Sequence, residues 1–243
     1  MVNVLRYTAD AYLANLQLVL LFSLSAVIAF IVPVFASFPT YNDAGSIFLR
    51  TASIFVNLTP VSITVIIAST ILSTLFLSFA IVAINVMVKH SRTHTRIRRE
   101  VMAGLESYTG KVFLVLLAFN AILIITNMVA YRYQIGNYIT WVVALALTPF
   151  FFYSPASIVI DDNKVVRSLK ASLKFFRKRP EYFGLWIGCA VVSYTVLDLA
   201  AISIAGPLVA EYIVLVVGSL LILPFLIMLQ GESYMKRFSM LRH

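Results

Sequence analysis

Apolar residues run along this chain in six long blocks separated by short polar segments. The first covers residues 17–38, "QLVLLFSLSAVIAFIVPVFASF", and the others cover 61–88, 112–130, 138–160, 182–204 and 212–229. A helix rises about 1.5 Å per residue, so roughly 20 apolar residues cross the ~30 Å hydrocarbon core of a bilayer. Blocks this long and continuous predict membrane-spanning helices, whereas a transmembrane barrel would show short alternating segments split by turns. Pro33, Pro149, Pro155 and Pro224 fall inside blocks. Lipid tolerates them because neighbouring helices and hydroxyl side chains take up the freed carbonyls. The expected fold is all-α, a polytopic membrane protein of six transmembrane helices forming one integral membrane domain over residues 1–243. The first block is too long and too far from the start for a cleaved signal peptide and is expected to be retained.

Between blocks the pattern becomes amphipathic. Over residues 163–178, Val165, Val166, Leu169, Leu173 and Phe176 recur at helical spacing, and Arg167, Lys170, Lys174 and Lys178 occupy the opposite stripe. Asp161, Asp162 and Asn163 offer capping and first-turn charge, and Pro180 ends the helix. Such a helix lies in the membrane plane, its apolar face either among acyl chains or on the protein's own spans. Similar segments are expected at 95–108 (Ile97, Val101, Met102, Leu105) and 2–16 (Leu5, Ala9, Tyr12, Leu16), each ahead of an up-and-down pair of spans. A shift of 68 residues aligns Arg99, Val101, Ala103, Leu105 and Tyr108 with Arg167, Leu169, Ala171, Leu173 and Phe176, which suggests a threefold repeat of interfacial helix plus hairpin. A further interfacial helix is expected at 44–58 in the first outer loop, with Asn57 in a glycosylation-type "NLT".

Charge sets the orientation. Of nineteen Lys and Arg residues, only Arg50 and Arg132 fall in the gaps 38–60, 131–137 and 205–211; the other seventeen fall in the alternate segments. Basic residues favour the cytoplasmic side, so the chain is expected in the cell membrane with both termini cytoplasmic. Arg96, Arg98 and Arg99 with Arg167, Lys170, Lys174, Arg177 and Lys178 are the expected contacts to anionic lipid headgroups. Composition agrees: 61% of residues are hydrophobic and 12% charged, about half the charge of a soluble domain.

Candidate chemistry is sparse. Cys189 is the single cysteine, which excludes an internal disulfide, and His90, His94 and His243 cannot close a metal site without carboxylates beside them. No phosphate-binding, dinucleotide, zinc-protease or nucleophile-elbow motif occurs. No catalytic residue, metal, cofactor or nucleic-acid partner is expected, and the chain is not expected to be an enzyme. The stretch "PFFFYSPASIVIDDNKVVRSLKASLKFFRKRPEYFGL" resembles the membrane-domain family associated with glycerophosphodiester phosphodiesterases and related archaeal and bacterial multi-pass proteins. Pro155, Ala156, Ile158, Val159, Asp161, Asp162, Ser168 and Ser172 carry the resemblance. It implies the architecture only, with Pro155 ending or kinking span four and the acidic pair starting the amphipathic helix. Hydrolysis in such proteins belongs to a separate soluble domain that is not part of these 243 residues.

One ionisable side chain falls well inside a block. Asp198, in "SYTVLDLAAIS", lies on the outer side of the middle of span five. At a helix centre an aspartate costs about 2.5–3.5 kcal/mol on insertion scales, so it is expected to be protonated, paired or facing a wet cavity. Asn120 and Asn127, two turns apart in span three, are its candidate partners, with Ser193, Thr195 and Glu211. Three classes of function remain: a structural or accessory protein that organises lipids or partner proteins, a transporter or channel component built around Asp198, and an intramembrane enzyme acting on lipid, for which the clustered carboxylates or histidines of acid–base or metal-assisted chemistry are lacking. A protein partner or a homo-oligomer is compatible with any of these.

Overall fold

A computed structural model describes residues 2–35, 60–90, 97–133 and 138–239. The helices are α1 (Val2–Ala14), α2 (Leu16–Phe35), α3 (Pro60–His90), α4 (Ile97–Arg132), α5 (Tyr138–Phe151), α6 (Ser154–Asp161), α7 (Val165–Lys178), α8 (Pro180–Ala205), α9 (Pro207–Val217) and α10 (Leu223–Ser239), with a π turn at Gly218–Ile222 between the last two. Among the described residues, six helical stretches are long and apolar enough to cross a membrane: α2, α3, α4, α5 with α6, α8, and α9 with α10. The protein is an all-α polytopic membrane protein.

The hub is α3, which packs against α2, α4, α6 and α10. Its residues 80–88 are buried all round, as expected for a helix apolar on every face. Between membrane helices there is no water to expel, so close backbone approach carries much of the association. Two glycines provide it. A Cβ added at Gly104 of α4 would lie 2.5 Å from Val86 Cγ2, and one added at Gly231 of α10 would lie 2.9 Å from Asn85 Oδ1.

Several expectations change on folding. The segment 95–108 is not a separate interfacial helix; from Ile97 it is continuous with span three in α4, 36 residues or about 54 Å long. The reason is phase. Val101, Gly104, Val112, Val115 and Phe119 are buried along one face, so the amphipathic stripe runs into the span without any need for a bend. By contrast α1 does stand apart from α2, with a bend at Asn15 whose Nδ2 donates to Ala11 O at 2.9 Å. Separate short helices therefore precede the first and third pairs of spans but not the second. The expected helix at 44–58, with Asn57, lies outside the described residues.

The acidic turn also plays a different role from the one expected. Lys164, not an acidic residue, is the N-cap of α7 and makes no side-chain capping bond. Instead Asp161 closes α6, and Asp162 takes the left-handed conformation just after it (φ 52°). Asn163 Nδ2 donates to Ser157 Oγ at 2.9 Å. The turn ends the buried helix rather than starting the amphipathic one, because its polar side chains find their partners on elements already packed there.

Candidate functional site

Span four is broken at Phe152 and Tyr153, a little past its middle, and the break is the most elaborated polar feature of the interior. Pro155 lies in the first turn of α6, directly after the break, so of the two roles expected of it, ending or kinking span four, the helix shows the kink. In an unbroken helix Tyr153 N–H would donate to Pro149 O, four residues back. Here the Ser172 hydroxyl of α7 stands between them: Tyr153 N donates to Ser172 Oγ at 3.0 Å, and Ser172 Oγ donates to Pro149 O at 2.9 Å. Insertion of a side chain into the backbone ladder is a recognised cause of a kink. Ser154 Oγ donates to Phe150 O at 2.7 Å, and Gln230 Nε2 of α10 donates to Phe152 O. Rings of Phe152, Tyr153, Phe175, Tyr182, Phe183, Trp186 and Tyr234 pack around the break, several of them edge to face. The carbonyls at Pro149, Phe150 and Phe152 are thus taken up by protein donors, which leaves a stitched joint.

The far end of α6 is fastened just as firmly. Lys89 Nζ donates to Val159 O at 2.8 Å, and Tyr234 OH donates to Asp161 Oδ2 at 2.6 Å. Lys111 pairs with Asp162 at 3.3 Å. The Tyr108 ring lies between two ammonium groups, 5.4 Å from Lys89 Nζ and 5.3 Å from Lys111 Nζ. Cations beside the last turn of a helix suit its dipole, so α3 and α4 both hold α6 in place from the basic rim.

On this platform α7 is docked by a face rotated from the one its apolar residues mark. Ser168, Ser172 and Phe175 are its buried residues, while Val166 is 66% exposed. The helix packs on α5 and α6, so its own spans cover one edge of the apolar face and leave the Val166 edge open. Arg167, Lys170, Lys174, Arg177 and Lys178 are all exposed. Arg99, on the first turns of α4, is exposed too; Arg96 lies outside the described residues, as does the side chain of Arg98. Ser172 was the missed signal: a hydroxyl on the apolar side of a basic helix, it bonds to the backbone of span four, while Ser168 one turn earlier bonds within its own helix.

The intramembrane polar residues do not form one site. Asn120 Nδ2 donates to Thr74 Oγ1 at 3.1 Å, tying α4 to α3. Asn127 is buried, and its Nδ2 has no hydrogen-bond partner among the described residues. Asp198 is exposed on α8, a helix that packs on α9, α10 and α7, whereas α4 packs mainly on α3, α5 and α6 and shares only the smaller contact with α7. Sequence spacing could not show this, since it carries no information on which helices are neighbours. No protein-family model, curated protein or solved structure matches the chain.

Proposed function

We propose that this chain is an accessory, non-enzymatic protein of the cell membrane that gathers anionic lipid at the cytoplasmic face through α7, with both termini on that side. The observation that carries the proposal is the state of α7: five exposed cations on a helix whose other side is bonded into the break of span four through Ser172. A free amphipathic helix reorients at will; this one presents its charges at a fixed angle beside an exposed Val166, a geometry that suits headgroups above and acyl chains beside it. The seventeen-to-two division of basic residues supports the orientation. Resemblance to the membrane domain associated with glycerophosphodiester phosphodiesterases fits an accessory role and brings no catalytic residue. The alternative, a transporter or channel component around Asp198, would need a wet path joining Asp198 to Asn120 and Asn127, and these lie on helices with different main neighbours.

The test uses the full chain in lipid nanodiscs. Each basic residue near an anionic surface contributes about 1 kcal/mol, screened by salt. Anionic lipid is expected to raise the melting temperature of the parent over neutral lipid, and to do so less at high salt. Replacing Lys170, Lys174 and Lys178 by Gln is expected to remove most of that gain and to reduce the anionic lipid retained on purification. A gain that survives the triple replacement unchanged would sink the proposal.

A further inference from the structure

Two polar side chains near the outer end of the α4–α5 pair are buried and unbonded. Asn127 of α4 is 4% exposed and Thr140 of α5 is 0% exposed. Neither Asn127 Nδ2 nor Thr140 Oγ1 has a hydrogen-bond partner among the described residues. The packing brings the two to one level. Phe119 and Phe151 meet with ring centroids 5.2 Å apart, and Leu123 and Ala144 belong to the same apolar cluster. These contacts run in opposite senses along the two helices, as in an antiparallel pair. One turn on from Leu123 along α4 is Asn127, and one turn back from Ala144 along α5 is Thr140. The buried residues a turn away on either helix, Ala130 and Ala144, are small.

A polar group left unmade within a membrane is costly, because hydrocarbon supplies no substitute partner. Other polar residues of these spans are satisfied. Asn120, two turns before Asn127, donates to Thr74 Oγ1 at 3.1 Å. Thr126 and Thr148 donate to carbonyls of their own helices, Ile122 O and Ala144 O. Asn127 and Thr140 depart from this pattern together, at the same level, and their chemistry is complementary. An amide N–H needs an acceptor, and a hydroxyl both donates and accepts.

We propose that Asn127 and Thr140 bind one neutral ligand between them, a water molecule that accepts from Asn127 Nδ2 and bonds Thr140 Oγ1. Charge argues against an ion. Residues 112–131 and 138–151, and residues 60–88 of the neighbouring α3, contain no Asp, Glu, Lys, Arg or His. A buried ion would therefore lack the opposite charge that offsets its desolvation. Burial argues against a larger molecule, since both side chains are closed to lipid. Buried waters typically bond to about three otherwise unsatisfied polar groups. The outer aqueous side is the source, since Asn127 lies about 8 Å from the end of α4 at Arg132. The site ties span three to span four through a shared partner and does not depend on lipid binding by α7.

Melting of the full chain in detergent tests this as a double-mutant cycle. Thr140→Val exchanges the hydroxyl for a methyl, and Asn127→Leu removes the amide. With one ligand serving both groups, each single replacement strands the other, so each is expected to lower the melting temperature by about 2–4 °C. The double replacement is expected to melt no lower than the worse single, and Thr140→Ser, which keeps the hydroxyl, is expected to melt with the parent. Two unrelated orphan groups would behave differently: removing either one would raise the melting temperature, and the effects would add. Additive effects of either sign overturn the site. A density map of the parent that resolves waters gives a second readout, independent of how the variants fold. One ordered peak within hydrogen-bond distance of both atoms is expected; two side chains bonded directly to each other, or no shared peak, would overturn the proposal.

Discussion

Ser172 shows how much one hydroxyl can decide. It is fully buried and serves two backbone groups that a broken helix would otherwise strand, Tyr153 N–H and Pro149 O. Leaving a buried donor or acceptor unmade costs about 1–3 kcal/mol. Ser168, one turn earlier and equally buried, donates only to Val165 O of its own helix at 2.6 Å, a carbonyl the helix can satisfy without it. Ser172→Ala is therefore expected to lower thermal stability in detergent by about 1–3 kcal/mol, and Ser168→Ala by a few tenths of that. Calorimetric or fluorescence melts of the two variants beside the parent decide it. Equal losses would mean that the bridge to span four contributes nothing beyond burial of a small side chain. Nothing at the level of composition separates the two serines; only the neighbour each one meets does.

At the scale of the element, α4 carries its own control. Gly104 and Gly110 share one helix, yet a Cβ at Gly104 would run into the side chain of buried Val86 while one at Gly110 meets nothing within 4 Å. Glycine inside a helix costs up to about 1 kcal/mol relative to alanine, and overpacking a tight contact costs about 1–3 kcal/mol. The signs therefore oppose: Gly110→Ala is expected to raise the melting temperature and Gly104→Ala to lower it. If both raise it, α3 and α4 cross less closely than described. The same helix marks the limit of what hydropathy can tell. All six spans were legible because span length is dictated by bilayer thickness and by bulk apolar character, both properties of the chain alone. The fusion of 97–132, the joint at Phe152, the π turn at Gly218–Ile222 and the rotated face of α7 depend on which residues of other elements lie opposite. The nine apolar and polar positions of α7 marked an amphipathic helix correctly, but its docking angle follows Ser172 and Phe175, whose partners are on α5 and α10.

For the whole molecule the distribution of packing matters most. Residues 80–88 of α3, 152–159 of span four and 226–234 of α10 are buried in continuous runs. The polar ties among them, from Lys89, Tyr234, Ser172 and Gln230, gather at the end that carries most of the basic residues. Towards the other end, Leu199, Ile204 and Tyr212 of α8 and α9 are exposed, as side chains bathed in acyl chains would be. A bundle sewn at one end and loose at the other fits a protein whose rigid platform faces the charged leaflet surface. Topology tests that placement directly, in a Cys189→Ser background. Cysteines at Asn42 and Asn137 are expected to react with an impermeant thiol reagent added to intact cells, and cysteines at Ser91 and Lys164 only after permeabilisation. Lys164 is the right probe for the α6–α7 turn because it is exposed, whereas Asn163, one residue earlier, is buried against Ser157 and would stay unlabelled on either side. Labelling at Ser91 or Lys164 from outside would invert the molecule and place the five cations of α7 on the wrong leaflet to meet an anionic cytoplasmic surface.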